Sequence, residues 1–173
     1  MVKDRIPWPA RSSTAMGQCP KPAWFSVRIG VLYGTTAHGG VSGDGIGPNG
    51  TVFELVPPPP RPGGAWTENL IYSFQGGADG TGPAAPVAFG KNGVLYGTTS
   101  YGGVMTGSSC FFEYGCGIVF QLTSPASAGG AWTEQVLYRF TDASEGGEPN
   151  SGLVVGTDGA LFGTTFLGGV GPL

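Results

Sequence analysis

Hydrophobic and polar residues alternate along the segment from Trp66 to Phe74. Its even-numbered positions read Trp, Glu, Leu, Tyr and Phe, and the odd-numbered positions between them read Thr, Asn, Ile and Ser. A period of two is typical of a β-strand with one buried face, because successive side chains point to opposite sides of the strand. The segment from Trp132 to Phe140 keeps the same alternation, so the pattern predicts two equivalent strands.

A second pattern, G-V-L-Y-G-T-T-x-x-G-G-V, begins at Gly30 and returns at Gly93, and a close variant begins at Gly159. These starts are 63 and 66 residues apart. Repetition at a nearly fixed period is the sequence signature of an array of similar structural units. Further strands are predicted at Val31–Thr36, at Thr51–Val56 with its copy Ile118–Thr123, and around Val87–Phe89 with its copy Leu153–Val155.

Four strands in a repeated unit of this length match a β-propeller blade with long loops. The sequence therefore predicts an all-β chain of tandem four-stranded antiparallel sheets, a partial β-propeller of about two and a half blades. The expected division is an atypical, poorly packed N-terminal segment at 1–28, a first blade at 29–90, a second blade at 91–156 and the truncated start of a third at 157–173. Because propellers close with four or more blades, the chain is expected to be a fragment of a larger protein.

Three motifs together resemble the GloVer-type tandem repeat proteins, a bacterial family. They are LYGTT-x-x-GG, GTVFEL and W-x-E-x-x-x-Y-x-F, and the resemblance covers residues 28–173. It implies a propeller-like exported protein that varied C-terminal anchors hold at the cell surface, with no established catalytic activity and no catalytic residues to carry over. The start of the chain lacks a continuous apolar h-region, so it is not itself predicted to be a secretory signal.

Charge narrows the classes of partner. Five of the eight basic side chains lie in residues 1–28, which leaves the repeat region acidic, and the whole chain has a net charge of −3. Nucleic acid is therefore not an expected partner, because phosphate binding needs a basic face. No apolar run is long enough for a membrane-spanning helix. A glycan or another surface protein is the partner class left open.

The loop between the first and second predicted strands differs between copies. It spans Ser42–Asn49 in the first copy and Met105–Cys116 in the second. Variable loops on a repeated scaffold are where recognition tends to reside. Its aromatic and acidic side chains are thus the candidate binding residues, namely Phe111, Phe112, Glu113 and Tyr114. A self-packed surface loop is the alternative interpretation.

Cys110 and Cys116 lie in this same loop, and their short spacing predicts a disulfide that would hold the aromatic tip. No second pair of ligands accompanies them, so zinc is not expected. His38 is the single histidine, and its equivalents in the other copies are Tyr101 and Leu167. No metal site and no cofactor are therefore predicted.

Two acids occupy equivalent places in successive copies, Glu68 and Glu134. Equivalent places imply similar surroundings, whereas acid–base catalysis assigns two carboxyl groups different roles. The sequence therefore favours a non-catalytic, exported structural or adhesive scaffold at the cell surface. Two alternatives stay open. One is a carbohydrate-binding propeller that uses an exposed aromatic residue, with Trp66 and Trp132 as further aromatic candidates, and the other is a fragment of a propeller enzyme that acts on polysaccharides.

Overall fold

The computed structural model of the chain describes residues 25–28, 30–40, 49–60, 63–104, 110, 114–127, 129–142 and 144–168, with the backbone alone at 25–28. These residues form strands and loops with two single-turn 3₁₀ segments, Gly77–Asp79 and Lys91–Gly93. The prediction of an all-β chain with several antiparallel sheets is confirmed. Within the described ranges, no helix is long and apolar enough to cross a membrane.

The first sheet contains four antiparallel strands in the order in which they occur along the chain. They are β1 (Phe25–Arg28), β2 (Val31–Thr36), β3 (Thr51–Val56) and β4 (Thr67–Ser73). A β-bulge between Val52 and Phe53 shifts the register of β3 against β4. Bulges increase the local twist of a strand pair, and the sequence pattern did not predict this one.

The second sheet repeats this arrangement with β5 (Ala88–Phe89), β6 (Leu95–Thr99), β7 (Ile118–Thr123) and β8 (Thr133–Arg139). Its bulge lies at the equivalent place, between Val119 and Phe120. A third, two-stranded sheet pairs β9 (Val154–Val155) with β10 (Leu161–Phe162). The chain thus builds the same meander twice and begins it a third time.

The glycine inside each LYGTT strand accommodates an aromatic ring from the next strand. Gly34 pairs with Phe53, and Gly97 pairs with Phe120. A Cβ added to Gly97 would lie 2.4 Å from the Phe120 ring, and one added to Gly34 would lie 2.6 Å from the Phe53 ring. No real Cβ tolerates such a contact, so this glycine allows the phenylalanine of the TVFEL-type strand to lie flat across its neighbour.

The two complete sheets share one hydrophobic core. Its buried members are Val52, Ile71, Phe74, Val87, Leu95, Ile118, Phe120 and Leu122. Phe74 from the end of the first sheet meets Phe120 of the second edge to face, with ring centroids 5.1 Å apart. Tyr33 and Phe89 form a second such contact at 5.2 Å. Offset and edge-to-face aromatic pairs stabilise beyond the area they bury, so these contacts fix how one sheet packs on the next.

Each sheet takes its short first strand from the end of the preceding sequence copy. β5 pairs with β6, not with β4, and the Gly90 amide donates to the Val94 carbonyl at 2.8 Å to close the hairpin between them. The second sheet therefore runs from Ala88 to Arg139, across the expected boundary between 29–90 and 91–156. The backbone of Phe25–Arg28, within the expected N-terminal segment 1–28, forms β1, while residues 1–24 lie outside the described part of the chain.

Candidate functional site

A disulfide joins two cysteines of the divergent loop. Cys110 and Cys116 are bonded, with Cα atoms 5.1 Å apart, and both are buried. The Gly102 amide donates to the Tyr114 carbonyl at 2.7 Å, and the Gly117 amide donates to the Gly102 carbonyl at 3.1 Å. Among the predicted binding residues, Tyr114 is half-exposed, whereas Phe111, Phe112 and Glu113 lie outside the residues that the structure describes.

The disulfide occupies the place that a polar contact holds in the preceding copy. There, the Thr81 hydroxyl donates to Asn49 Oδ1 at 2.9 Å, and the Gly82 amide donates to the Asn49 carbonyl at 2.9 Å. In the next copy the equivalent amide, of Glu148, donates to the Cys116 carbonyl at 2.8 Å. Gly147, equivalent to Thr81, leaves room for the sulfur atoms. Cys116 is thus bonded within its own loop, whereas its equivalent Asn49 accepts a hydrogen bond from Thr81.

Glu148 is the most unusual residue beside this disulfide. It is 7% exposed, its φ of 52° lies in the left-handed region, and its equivalent in the preceding copy is Gly82 with φ 70°. Its Oε1 is buried and has no hydrogen-bond partner among the described residues. Burial and the nearby charge of Glu148 both raise the pKa of Tyr101. A left-handed backbone at a residue other than glycine and a buried carboxyl oxygen without a hydrogen bond each usually lower the stability of the folded state.

A second group of polar side chains lies where the first and second sheets meet. We call Tyr72, Asp79 and Glu134 the carboxyl cluster. The Tyr72 hydroxyl donates to Asp79 Oδ1 at 2.7 Å, and the Gln75 amide donates to Asp79 Oδ2 at 2.6 Å. Burial and then the hydrogen bond to Asp79 raise the pKa of Tyr72, and the charge of Glu134 adds to this effect.

Glu134 of the carboxyl cluster has an altered acidity. Burial, followed by the negative charge of Asp79, raises its pKa from 4.5 to about 7, and Arg139 partly opposes the change. Its Oε1 is closed off from solvent and accepts no hydrogen bond within the described part of the chain. The side chain as a whole is half-buried, so this closure concerns one of its two oxygens.

The second copy contains the same tyrosine–acid pair. The Tyr138 hydroxyl donates to Glu145 Oε2 at 3.4 Å, and the Thr141 hydroxyl donates to the same oxygen at 2.7 Å. Tyr138 is half-exposed. An acidic residue seven positions after the tyrosine occurs in both copies, and this spacing is the signal that would have located the pair from the sequence.

The expectation that Glu68 and Glu134 have similar surroundings is wrong. Glu68 is exposed, whereas Glu134 is half-buried. Glu134 faces Tyr72 and Asp79 from the preceding sheet, and Glu68 belongs to the first described sheet.

Neighbouring Trp132 packs against the shared core, while His38 is exposed on its turn. In the described ranges, no group of three or more His, Cys, Asp or Glu side chains is arranged to hold a metal ion.

No protein-family model matches this chain, and comparison with curated proteins and with solved structures finds no significant match.

Proposed function

We propose that this chain is part of a non-catalytic, exported repeat protein whose successive sheets form a propeller-like structural or adhesive scaffold at the cell surface. The observation that carries the proposal is that each sheet is tied to the next by the same contacts. The LYGTT resemblance to GloVer-type repeat proteins supports the same conclusion.

The contacts that recur between sheets are hydrogen bonds from the first threonine of each LYGTT strand. The buried Thr35 hydroxyl donates to the Ala85 carbonyl at 3.1 Å, and the buried Thr98 hydroxyl donates to the Ser151 carbonyl at 3.1 Å. Ala85 and Ser151 hold equivalent positions just before the short first strands of the following sheets. The same hydrogen bond at two successive junctions favours an array in which each sheet packs on the next in the same way.

Two further features support a radial, propeller-like array. The short first strands β5 and β9 lie beside each other, as the inner strands of neighbouring propeller blades do around the central axis. Most of the side chains of β4 and β8, at the opposite edge of each sheet, are exposed or half-exposed. Converging inner strands and solvated outer strands are the arrangement expected of blades.

The disulfide supports export. Structural disulfides persist in oxidising compartments and are rare in the cytosol. Antibody labelling of intact cells that express the chain from its own locus tests this part of the proposal. We expect labelling without permeabilisation, together with loss of the antigen when intact cells are treated with protease. An antigen that becomes accessible only after permeabilisation would contradict export.

A scaffold of linked sheets also predicts which threonines contribute most to the free energy of unfolding. Replacing Thr98 by Val leaves the Ser151 carbonyl without its buried donor, which should cost about 1–2 kcal/mol of the free energy of unfolding. Thr133→Val, at an exposed threonine of β8, is the matched control and should change stability by less than about 0.5 kcal/mol. If Thr98→Val and Thr133→Val lower the free energy of unfolding equally in chemical denaturation, the Thr98 hydrogen bond does not stabilise the contact between the sheets.

Glycan binding is the second candidate, and the exposure of Tyr114, which lies between the two bonded cysteines in the sequence, favours it. Exposed aromatic rings can stack on sugars, and a preorganised loop loses less entropy on binding. A glycan array with the parent chain and Tyr114→Ala tests this use. Tyr138→Ala is the control, because Tyr138 and Tyr114 are both 47% exposed. Binding that is lost in both variants, or in neither, would exclude the loop as a sugar platform.

A further inference from the structure

The junction between the first and second sheets contains two acids and one tyrosine in a place that is partly closed to water. The Asp79 carboxylate accepts hydrogen bonds from the Tyr72 hydroxyl and from the Gln75 backbone amide. Glu134 reaches this group from β8 of the second sheet, between Trp132 and Val136, which both pack against the shared core. The packing of the sheets therefore places the Glu134 carboxyl group where the negative charge of Asp79 acts on it.

Glu134 contributes an oxygen that the described structure leaves without a donor. Its Oε1 has no measurable solvent contact and no hydrogen bond among the described residues. An ionised carboxylate in that position would lack compensation for lost hydration and would face the charge of Asp79, and both effects destabilise the charged form. Retaining one proton on Glu134 removes the repulsion between the two acids and gives the pair a hydrogen-bond donor.

We propose that a proton held on Glu134, opposite Asp79 and Tyr72, fastens the second sheet to the first, so that the junction weakens when this proton is lost. The charged or titratable groups that face Glu134 are Asp79 and Tyr72 from the first sheet and Arg139 from its own strand. Arg139 is exposed, so its charge is screened and only partly offsets the repulsion.

The direction of the pH effect follows from the two states of the chain. The pKa of Glu134 is about 7 in the folded chain, above the ordinary value of 4.5 that it regains on unfolding. The folded state then holds the proton more tightly, so its stabilising contribution is complete below pH 4.5 and is lost as the pH rises through 7. Because Glu134 is only half-buried, we expect about a tenfold fall in the equilibrium constant for folding across this range.

Two measurements on the full chain test the proposal. The first is a ¹³C titration of the Glu134 side-chain carboxyl, which should have its midpoint near pH 7 and should move to lower pH in Asp79→Asn. The second is chemical denaturation at pH 5 and pH 8.5. The parent chain should lose stability at the higher pH, Glu134→Gln should lose this dependence on pH, and Glu68→Gln should keep it.

Glu68 is the matched control because it holds the equivalent position in the first sheet and is exposed. A Glu134 titration that does not move in Asp79→Asn would overturn the proposal. So would a Glu134→Gln variant that retains the parental dependence on pH, or a Glu68→Gln variant that abolishes it. The titration on the parent chain needs no substitution, so the proposal can be tested even if a variant folds poorly. None of these outcomes depends on export or adhesion.

Discussion

Gly147 lies directly against the disulfide between Cys110 and Cys116. A Cβ placed on Gly147 would come within 2.6 Å of Cys110 Sγ and 3.4 Å of Cys116 Cβ. The equivalent residue of the preceding copy is Thr81, whose hydroxyl reaches Asn49 instead. Gly147→Thr should therefore overpack the disulfide and lower the free energy of unfolding by about 2 kcal/mol, as measured by chemical denaturation.

The matched control rebuilds the polar contact of the preceding copy. With Cys110→Ala and Cys116→Asn in place, Gly147→Thr should cost less than about 0.5 kcal/mol, because the threonine then has both space and a partner. A threonine that destabilises equally in both backgrounds would show that the sulfur atoms are not the cause.

The disulfide between Cys110 and Cys116 predicts how many free thiols the protein contains. The sequence has three cysteines, and two of them are bonded. Titration of denatured, unreduced protein with a thiol reagent should find one thiol, from Cys19, and three after reduction. Breaking the cross-link should lower the free energy of unfolding by about 2 kcal/mol on the chain-entropy model. Three thiols before reduction would contradict the pairing.

The two tyrosine–acid pairs should differ in their contribution to stability. Tyr72→Phe removes a 2.7 Å hydrogen bond to Asp79 at the sheet junction, and we expect a loss of about 1–2 kcal/mol in the free energy of unfolding. Tyr138→Phe removes the exposed 3.4 Å contact with Glu145 and should cost less than about 0.5 kcal/mol. Similar losses in thermal and chemical unfolding would mean that the junction does not strengthen the first pair.

Glu148 combines a left-handed backbone with a buried, unpartnered carboxyl oxygen. Glu148→Gly restores the residue of the preceding copy and should raise the free energy of unfolding by about 1 kcal/mol, since it relieves both restraints but frees the unfolded chain. Glu148→Ala removes the carboxyl group and keeps the backbone strain, so it should stabilise less than Glu148→Gly. A glycine variant that is less stable than the parent would indicate a stabilising partner for the carboxylate.

Sequence periodicity predicted most strands because their pattern is local. The predicted Thr51–Val56 and Ile118–Thr123 strands coincide with β3 and β7, and the alternation at Trp66–Phe74 locates β4 to within one residue at each end. Among them, β7 alternates more and less buried residues along its length, and burial on one face is what a period of two reports.

Features that depend on a neighbouring sheet were not predicted. Glu68 and Glu134 share the motif W-T-E, but Tyr72 and Asp79, which face Glu134, belong to the preceding sheet and cannot be read from its own strand. The strand Ala88–Phe89 is too short to show a period, and the tight turn that follows it decides its partner. The bulge opposite Val52 and Phe53 leaves Ile71 of β4 as an extra residue between Leu70 and Tyr72.

The pairing of β5 with β6 has a consequence for how such a gene can change in length. The folded sheet straddles the repeated sequence unit, with its short first strand encoded before Gly93 and its remaining strands after it. Unequal recombination at the glycine codons would join an upstream short first strand to a downstream LYGTT strand, so the number of copies could change while every LYGTT strand keeps a hairpin partner. A recombinant fragment limited to residues 91–156 would instead lack β5, and its β6 edge would be exposed to aggregation.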